Sequence, residues 1–352
     1  IALPEYVKYF NPEATTQEVY MPATLSKYIL TDLLRGKMNF NGLVVTDASH
    51  MVAMTSAMKR SEMLPTAIAA GSDLFLFFND PDEDFEWMME GYKNGIITDE
   101  RLEEALTRIL GTKAALGLHK KAKTEILPEK EVAMAKIGLE ENKAIAKEVS
   151  DKAITLVKNT QDVLPIAPEK TKRVLLVEAK GFDGGFGKFI EIMGGAKKKP
   201  IEIVKELLEA KGFDVEIWES PIDKIMKLPK EEMAQALGNV YAGKRPIAEL
   251  TSKYDLIINI ANVNASVDQR LQWPPSKGTP DIPFYVNEIP TIFISVKCPF
   301  HLADVPQVKT YINTYDDNQQ TLEALVEKLV GNTEFKGISP VDAFCGFGDT
   351  RF

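Results

Sequence analysis

Two short runs, Leu43-Val44-Val45 and Asp73 to Phe78, are apolar on consecutive positions instead of alternating ones. Such strands are hydrophobic on both faces, and a parallel sheet covered by helices is the arrangement that buries both. Helical patterns surround them. Thr24 to Arg35 carries Leu25, Ile29, Leu30, Leu33 and Leu34, with Gly36 as the predicted stop. A second helix fits Ser61 to Ala70, stopped by Gly71. Two more follow at Asp82 to Lys93 and Asp99 to Leu116, the latter capped by Thr98 with a stripe of Leu102, Leu106, Ile109 and Leu110. Strand and helix in alternation predict α/β architecture of the (β/α)8 barrel type. A closed barrel takes about 250 residues, whereas only about three β/α units fit before Leu118. Residues 1–118 are therefore expected to be the C-terminal portion of a barrel. The chain opens Ile1-Ala2-Leu3-Pro4, and the remaining barrel units are expected upstream as a missing N-terminal portion.

A polar, Lys-rich stretch from His119 to Lys130 and a predicted Ala/Lys/Glu helix over Glu131 to Val149 form a connector, residues 119–150. Residues 151–352 then read as an α/β sandwich of doubly wound type. Strands are predicted at Ala153 to Lys158, Val174 to Glu178, Asp214 to Trp218, Leu256 to Ile260, Thr291 to Val296 and Thr310 to Asn313. Helices at Ile201 to Ala210, Glu231 to Leu237 and Thr321 to Leu329 separate them. Two irregular stretches interrupt this domain, Lys180 to Lys199 and the Pro-rich Asn262 to Pro290. Loops that long in a compact domain are usually functional or disordered.

Charge and composition remove several function classes. The 51 acidic and 42 basic residues leave a net charge of -9, which disfavours nucleic acid, since that binding requires phosphate neutralisation. Cys298 and Cys345 are far apart, and His50, His119 and His301 are scattered, so no metal site or disulfide framework is predicted. No apolar run reaches the roughly 18 residues that a membrane helix needs. Two cysteines without an evident pairing mildly favour a cytoplasmic setting, with secretion left open.

The end of the first strand carries the chemistry. An acidic residue closing a barrel strand points into the mouth where barrel enzymes place their catalytic groups. Asp47 occupies that position in Val45-Thr46-Asp47-Ala48. By itself a strand ending Thr-Asp is equally compatible with an Asp that caps the next helix. The flanking blocks are more specific: Pro22-Ala23-Thr24-Leu25-Ser26, Leu33-Leu34-Arg35, Phe40-Asn41-Gly42 leading into Leu43 to Ala48, Ala67 to Asp73, and Arg108-Ile109-Leu110. Further along stand Tyr311-Ile312-Asn313-Thr314-Tyr315 and Lys336-Gly337-Ile338-Ser339-Pro340-Val341-Asp342. In this order, over nearly the whole chain, they resemble the family 3 glycoside hydrolases of the β-N-acetylglucosaminidase branch.

That resemblance implies a retaining glycosidase in which Asp47 is the nucleophile, attacking the anomeric carbon to form a covalent glycosyl-enzyme intermediate. It implies a small carbohydrate substrate and neither metal nor organic cofactor. Ala48 stands where the β-glucosidase branch usually has Trp, which favours N-acetylglucosaminides over plain glucosides. The branch's acid/base, a His paired with an Asp on an upstream loop, has no counterpart here, nor has its sugar-binding Lys-His-Phe-Pro-Gly-His-Gly type segment. The chain alone is therefore expected to be inactive. Two other readings stay open: a non-catalytic carbohydrate-binding or interaction module, and a β-glucosidase or β-xylosidase.

His50 is a poor substitute for the missing acid. In a retaining enzyme the two groups flank the scissile bond about 5–5.5 Å apart, whereas residues on one short loop tend to lie on one side. His50 and Met51 are predicted to line the substrate site or to pack the loop. In the second domain Arg270 and Trp273 are candidates for a substrate rim, by stacking and by anion recognition, or else for domain packing. Gly181-Phe182-Asp183-Gly184-Gly185 follows a strand, but lacks the spacing of a dinucleotide or P-loop site. Lys197 to Lys199 reads as a solvated face, and His301 as a packing or capping residue.

Overall fold

The chain divides into two units, Ile1–Met134 and Ala135–Phe352. The computed structural model describes residues 2–181, 198–229, 231–233, 236, 245–263, 270–273 and 278–352. Both units are α/β, and no described helix is long and apolar enough to cross a membrane.

In the first unit two parallel strands, β1 (Val45–Ala48) and β2 (Leu74–Leu76), pair side by side. Among the described residues they are the only strands of this unit, so about three β/α units becomes two strands with their helices. The register slips between Val45↔Leu74 and Ala48↔Leu76, and the Thr46 hydroxyl fills the gap by accepting from the Leu76 N–H at 2.9 Å. That bond satisfies a strand donor which the bulge would leave unpaired.

The predicted burial of both strand faces is not met. Phe75 packs on helix α2 (Arg60–Ala69), where Met63, Leu64 and Ala67 are fully buried with Met54 and Leu25, and Thr46 is buried as well. On the other face Val45, Asp47, Leu74 and Leu76 are all exposed. One covered face and one open face follow from a helix layer that lies on a single side, through the contacts of β2 with α2.

The first predicted helix also differs. A 3-10 turn, Ala23–Leu25, precedes helix α1 (Tyr28–Lys37), which is of π type and continues through Gly36. The chain turns instead at Asn39, whose φ of +55° suits a residue that tolerates the left-handed region. Helices α3 (Pro81–Lys93) and α4 (Asp99–Ala115) follow, capped by Asp80 and Thr98. The predicted Glu131 to Val149 helix is two pieces, Lys130–Met134 and α5 (Glu140–Ala153). Gly138, at φ +70°, lies between them, and the unit boundary falls in the break.

The second unit is a six-stranded sheet in the order β3-β8-β7-β6-β4-β5. It comprises β3 (Thr155–Asn159), β4 (Arg173–Ala179), β5 (Asp214–Ile217), β6 (Leu256–Ala261), β7 (Thr291–Ser295) and β8 (Thr310–Asn313). All neighbours are parallel except β3, which runs antiparallel to β8 at one edge. Every residue of β6, β7 and β8 is buried, the signature of strands covered on both faces. Helices α6 (Pro200–Ala210) and α7 (Gln319–Leu329) contribute to the cluster on one face, with Leu176, Ile258 and Ile294. Part of the predicted helix Glu231 to Leu237, most of Lys180 to Lys199, and residues 264–269 and 274–277 of the Pro-rich stretch lie outside the described residues.

Two contacts among several hold the C-terminal tail to this unit. Lys328, with a fully buried side chain, donates to the Asp151 carboxylate at 2.7 Å and to the Glu334 carbonyl at 2.7 Å. Gly337 passes so close to Ala153, Ile154 and Thr155 that a Cβ would overlap their carbonyl and hydroxyl oxygens.

Two outcomes are expected. Gly337→Ala forces the tail off the β3 edge and lowers the urea midpoint by the equivalent of about 1–3 kcal/mol; an unchanged midpoint would rule out the close approach. The Lys328 ammonium, first by its hydrogen bond, holds the Asp151 pKa below its ordinary value. Its contribution is complete above the unfolded carboxylate pKa and fades as pH falls through the lower folded one. Asp151→Asn should cost roughly 2 kcal/mol at pH 7, below the range for fully buried pairs because Asp151 is partly exposed. Urea titrations from pH 7 to pH 3 should show the variant and wild type converging in acid.

Candidate active site

The site is built from its base. Asp73, with a side chain wholly buried, sits just before β2, and three arginines converge on its carboxylate. Arg35 of α1 donates at 2.7 Å, Arg108 of α4 at 3.3 Å, and Arg101 of α4 makes a short bond. The same carboxylate accepts the Val44 N–H at 3.1 Å, just before β1. Arg35 also donates to the carbonyls of Gly42 (3.3 Å) and Gly71 (2.9 Å). Arg108 reaches Asn41 Oδ1 at 3.1 Å. The segments entering both strands are thus tied to one anion. Burial pushes the Arg35 pKa down and the nearby Arg108 and Arg101 add to this, while Asp73 counteracts them.

Strands aligned from below present their C-terminal ends above. Asp47 is exposed there, on the open face, and its Oδ1 accepts the Ala48 N–H at 2.7 Å. It caps no helix: the next helical turn is Val52–Thr55, and its N-cap position is held by Met51. Directly after Asp47 the loop is locked. Ser49, fully buried, donates from N and Oγ to the Phe77 carbonyl at 3.3 and 3.0 Å. Arg60 binds the Ser49 carbonyl at 3.0 Å and grips Asp84 through both carboxylate oxygens, at 2.7 and 3.0 Å. Asp84 accepts the Asn79 N–H at 2.9 Å. A charge-assisted, partly buried pair of this kind, with Nη2 shared between both oxygens, holds its loops to one geometry.

His50 and Met51 follow on this loop and are both exposed, Met51 at 46 %. Arg270 and Trp273 belong to the second unit. Arg270 is engaged in a short ion pair with Asp304, whose other oxygen accepts the Leu271 N–H at 3.2 Å. Trp273 is exposed. Of the glycine-rich run only Gly181 is described, bridged to Leu271; the remainder of that run and Lys197 lie outside the described residues. His301 is buried, with Nδ1 2.8 Å from Ser295 Oγ. Among the described residues no group of His, Cys, Asp and Glu could hold a metal ion.

Ser49, Arg60, Phe77 and Asp84 were not singled out by the sequence reading. They are single residues spread over 36 positions, and their common feature, one hydrogen-bonded loop system, has no linear spacing. The left-handed conformation of Phe77, φ +53°, likewise has no signal in a run of strand-forming residues.

Residues 6–112 match the glycosyl hydrolase family 3 N-terminal domain. A β-N-acetylglucosaminidase/β-glucosidase of Cellulomonas fimi is 37% identical over 355 residues, covering 100% of this chain and 58% of that protein. The structure of the β-glucoside phosphorylase BglX is similar at a TM-score of 0.80 and 38% identity, across 100% of this chain and 58% of that one. A family 3 β-N-acetylglucosaminidase from Paenibacillus sp. str. FPU-7 shares the fold, at a TM-score of 0.61 and 20% identity, over 90% of this chain and 54% of that one. The chain thus spans a little over half the length of the proteins it resembles.

The anchor makes a sharp prediction. Asp73→Asn leaves three guanidinium groups around a neutral amide and should destabilise the first unit by about 3–5 kcal/mol. Chemical denaturation followed by circular dichroism measures this, and a loss below about 1 kcal/mol would show that the arginines are held by other partners.

Proposed function

The chain belongs to glycoside hydrolase family 3, and from that premise we propose that Asp47 is the nucleophile of a retaining β-glycosidase acting on terminal β-linked N-acetylglucosamine. One observation carries the reading: an exposed carboxylate at the C-terminal end of a parallel strand, on the open face, beside a loop held rigid by Ser49, Arg60 and Asp84. Its carboxylate accepts one backbone N–H and leaves its other oxygen free of any described partner. A nucleophile needs this combination, because a fully paired carboxylate would lose hydrogen bonds as it attacks. His50 and Met51 are proposed to line the sugar site from the same loop. Arg270, preorganised by Asp304, and Trp273 are proposed as the rim of a carbohydrate site on the second unit.

Retention requires a second group to protonate the leaving oxygen. We assign it to additional polypeptide, which also covers the exposed Val45, Leu74 and Leu76 and pairs with the outer edges of β1 and β2. Ala48 supports an N-acetylglucosaminide, and the name of the Cellulomonas fimi relative includes both that activity and β-glucosidase. A second reading has a specific support of its own: the similar BglX structure is that of a β-glucoside phosphorylase, so phosphate would replace water in releasing the sugar from Asp47.

The natural full-length polypeptide should hydrolyse an aryl β-N-acetylglucosaminide, and Asp47→Ala should lower kcat by about 10⁴-fold or more. Acid-quenched enzyme should carry the sugar's mass on the peptide containing Asp47. Turnover undiminished in the variant would overturn the assignment. Sugar 1-phosphate as the product in phosphate buffer selects phosphorolysis, free sugar selects hydrolysis, and sugar binding without turnover selects a non-catalytic module.

A further inference from the structure

Phe77 combines three properties that are seldom found together. It closes β2 at the level of the loop that follows Asp47, one residue past the pairing of Ala48 with Leu76. Its ring is exposed, at 59 %. Its backbone is left-handed, at φ +53°, a conformation that costs a bulky residue of order 1 kcal/mol and favours glycine. Burial against the described residues does not explain the strain, since most of the side chain lies clear of them. Backbone chemistry explains how it is held: the Phe77 carbonyl is turned to accept both the N–H and the hydroxyl of Ser49. Ser49 is clamped in turn by Arg60 and Asp84.

The strain therefore couples the presentation of Phe77 to the loop that carries the carboxylate. Neighbouring strands lie about 4.8 Å apart and rise about 3.3 Å per residue, so the Phe77 backbone, two positions further along than Asp47, is roughly 8 Å from it, a span that a side chain and one sugar ring can bridge. A pyranose presents a face of C–H groups to an aromatic ring, and such stacking combines apolar burial with the attraction of C–H for the π face.

We propose that Phe77 is a substrate-positioning residue, a stacking platform for the pyranose ring attacked by Asp47. The inference rests on the reading of Asp47 as nucleophile. Its left-handed turn, fastened through Ser49 to the Asp47 loop, fixes the ring of Phe77 relative to the reacting carboxylate. A glycine would relieve the strain and abolish the platform.

The test is a substitution series at position 77 in the natural full-length polypeptide, with an aryl β-N-acetylglucosaminide as substrate. Phe77→Tyr keeps the aromatic face and should stay within about twofold of wild type in kcat/KM. Phe77→Leu keeps apolar bulk without a π face, and should lose roughly three- to tenfold, mainly through KM, as should Phe77→Ala. Phe77→Gly should lose as much activity as Phe77→Ala yet melt at a higher temperature, because only glycine relaxes in the left-handed region. Wild-type kinetics in Phe77→Leu would reassign Phe77 to packing, and a Phe77→Gly that melts below Phe77→Ala would remove the strain. Asp47→Ala separates the two claims. If it retains turnover, the nucleophile reading fails whatever Phe77 does; if it is inactive and the Phe77 series is flat, only the platform fails.

Discussion

The carboxylate of Asp73 organises the first unit. It collects guanidinium groups from two helices and a backbone N–H from the segment before β1, while itself preceding β2. A buried anion is tolerable only when its lone pairs are filled, and here positive charge outnumbers it. Glu104 offsets the excess through a short contact with Arg101 and a longer one with Arg108 at 3.6 Å. Charge balance, more than apolar burial, fixes where the two strands begin.

Everything above the anchor inherits its alignment. The bulge between Val45 and Ala48 is sealed by Thr46, so the Thr of the Thr-Asp pair serves the ladder while the Asp is left exposed. A second ionic device, Arg60 with Asp84, secures the loops at the strands' upper ends. The two strands are thus pinned below by Asp73 and above by Ser49, with Asp47 between. Pinning of this sort preorganises a carboxylate without burying it. In the second unit Lys328 has a comparable part, a buried cation that fastens α5 and the tail to α7.

Much of this architecture was legible in the sequence. Consecutive apolar residues located seven of the eight strands to within about two residues. The exception is β1, which ends at Ala48, three residues past the apolar run Leu43 to Val45, and starts two residues late because the Val44 N–H is taken by Asp73 and not by the sheet. Helix ends were less legible. Gly36 looked like a stop, but a glycine ends a helix only if the chain turns there, and the turn is at Asn39. The blocks that carry the family resemblance have a physical explanation in part: Arg35, Asp73 and Arg108 are members of the anchor, and Gly337 is the one residue that fits against β3. Ser49, Arg60 and Asp84 were illegible because each is ordinary where it stands, and only the fold brings them together.

By itself the sequence determined the α/β class, the two-part organisation of its patterns, and the position of Asp47 at a strand's end. Those properties are written in local periodicity and in the side-chain chemistry of adjacent residues, which need no partner to be read. Only the tertiary structure decided which face of the first sheet is open, which carboxylate is buried and which is free, and that Phe77 is held in a left-handed turn. Each of these depends on hydrogen bonds and ion pairs between residues up to about seventy positions apart, and no linear pattern encodes them.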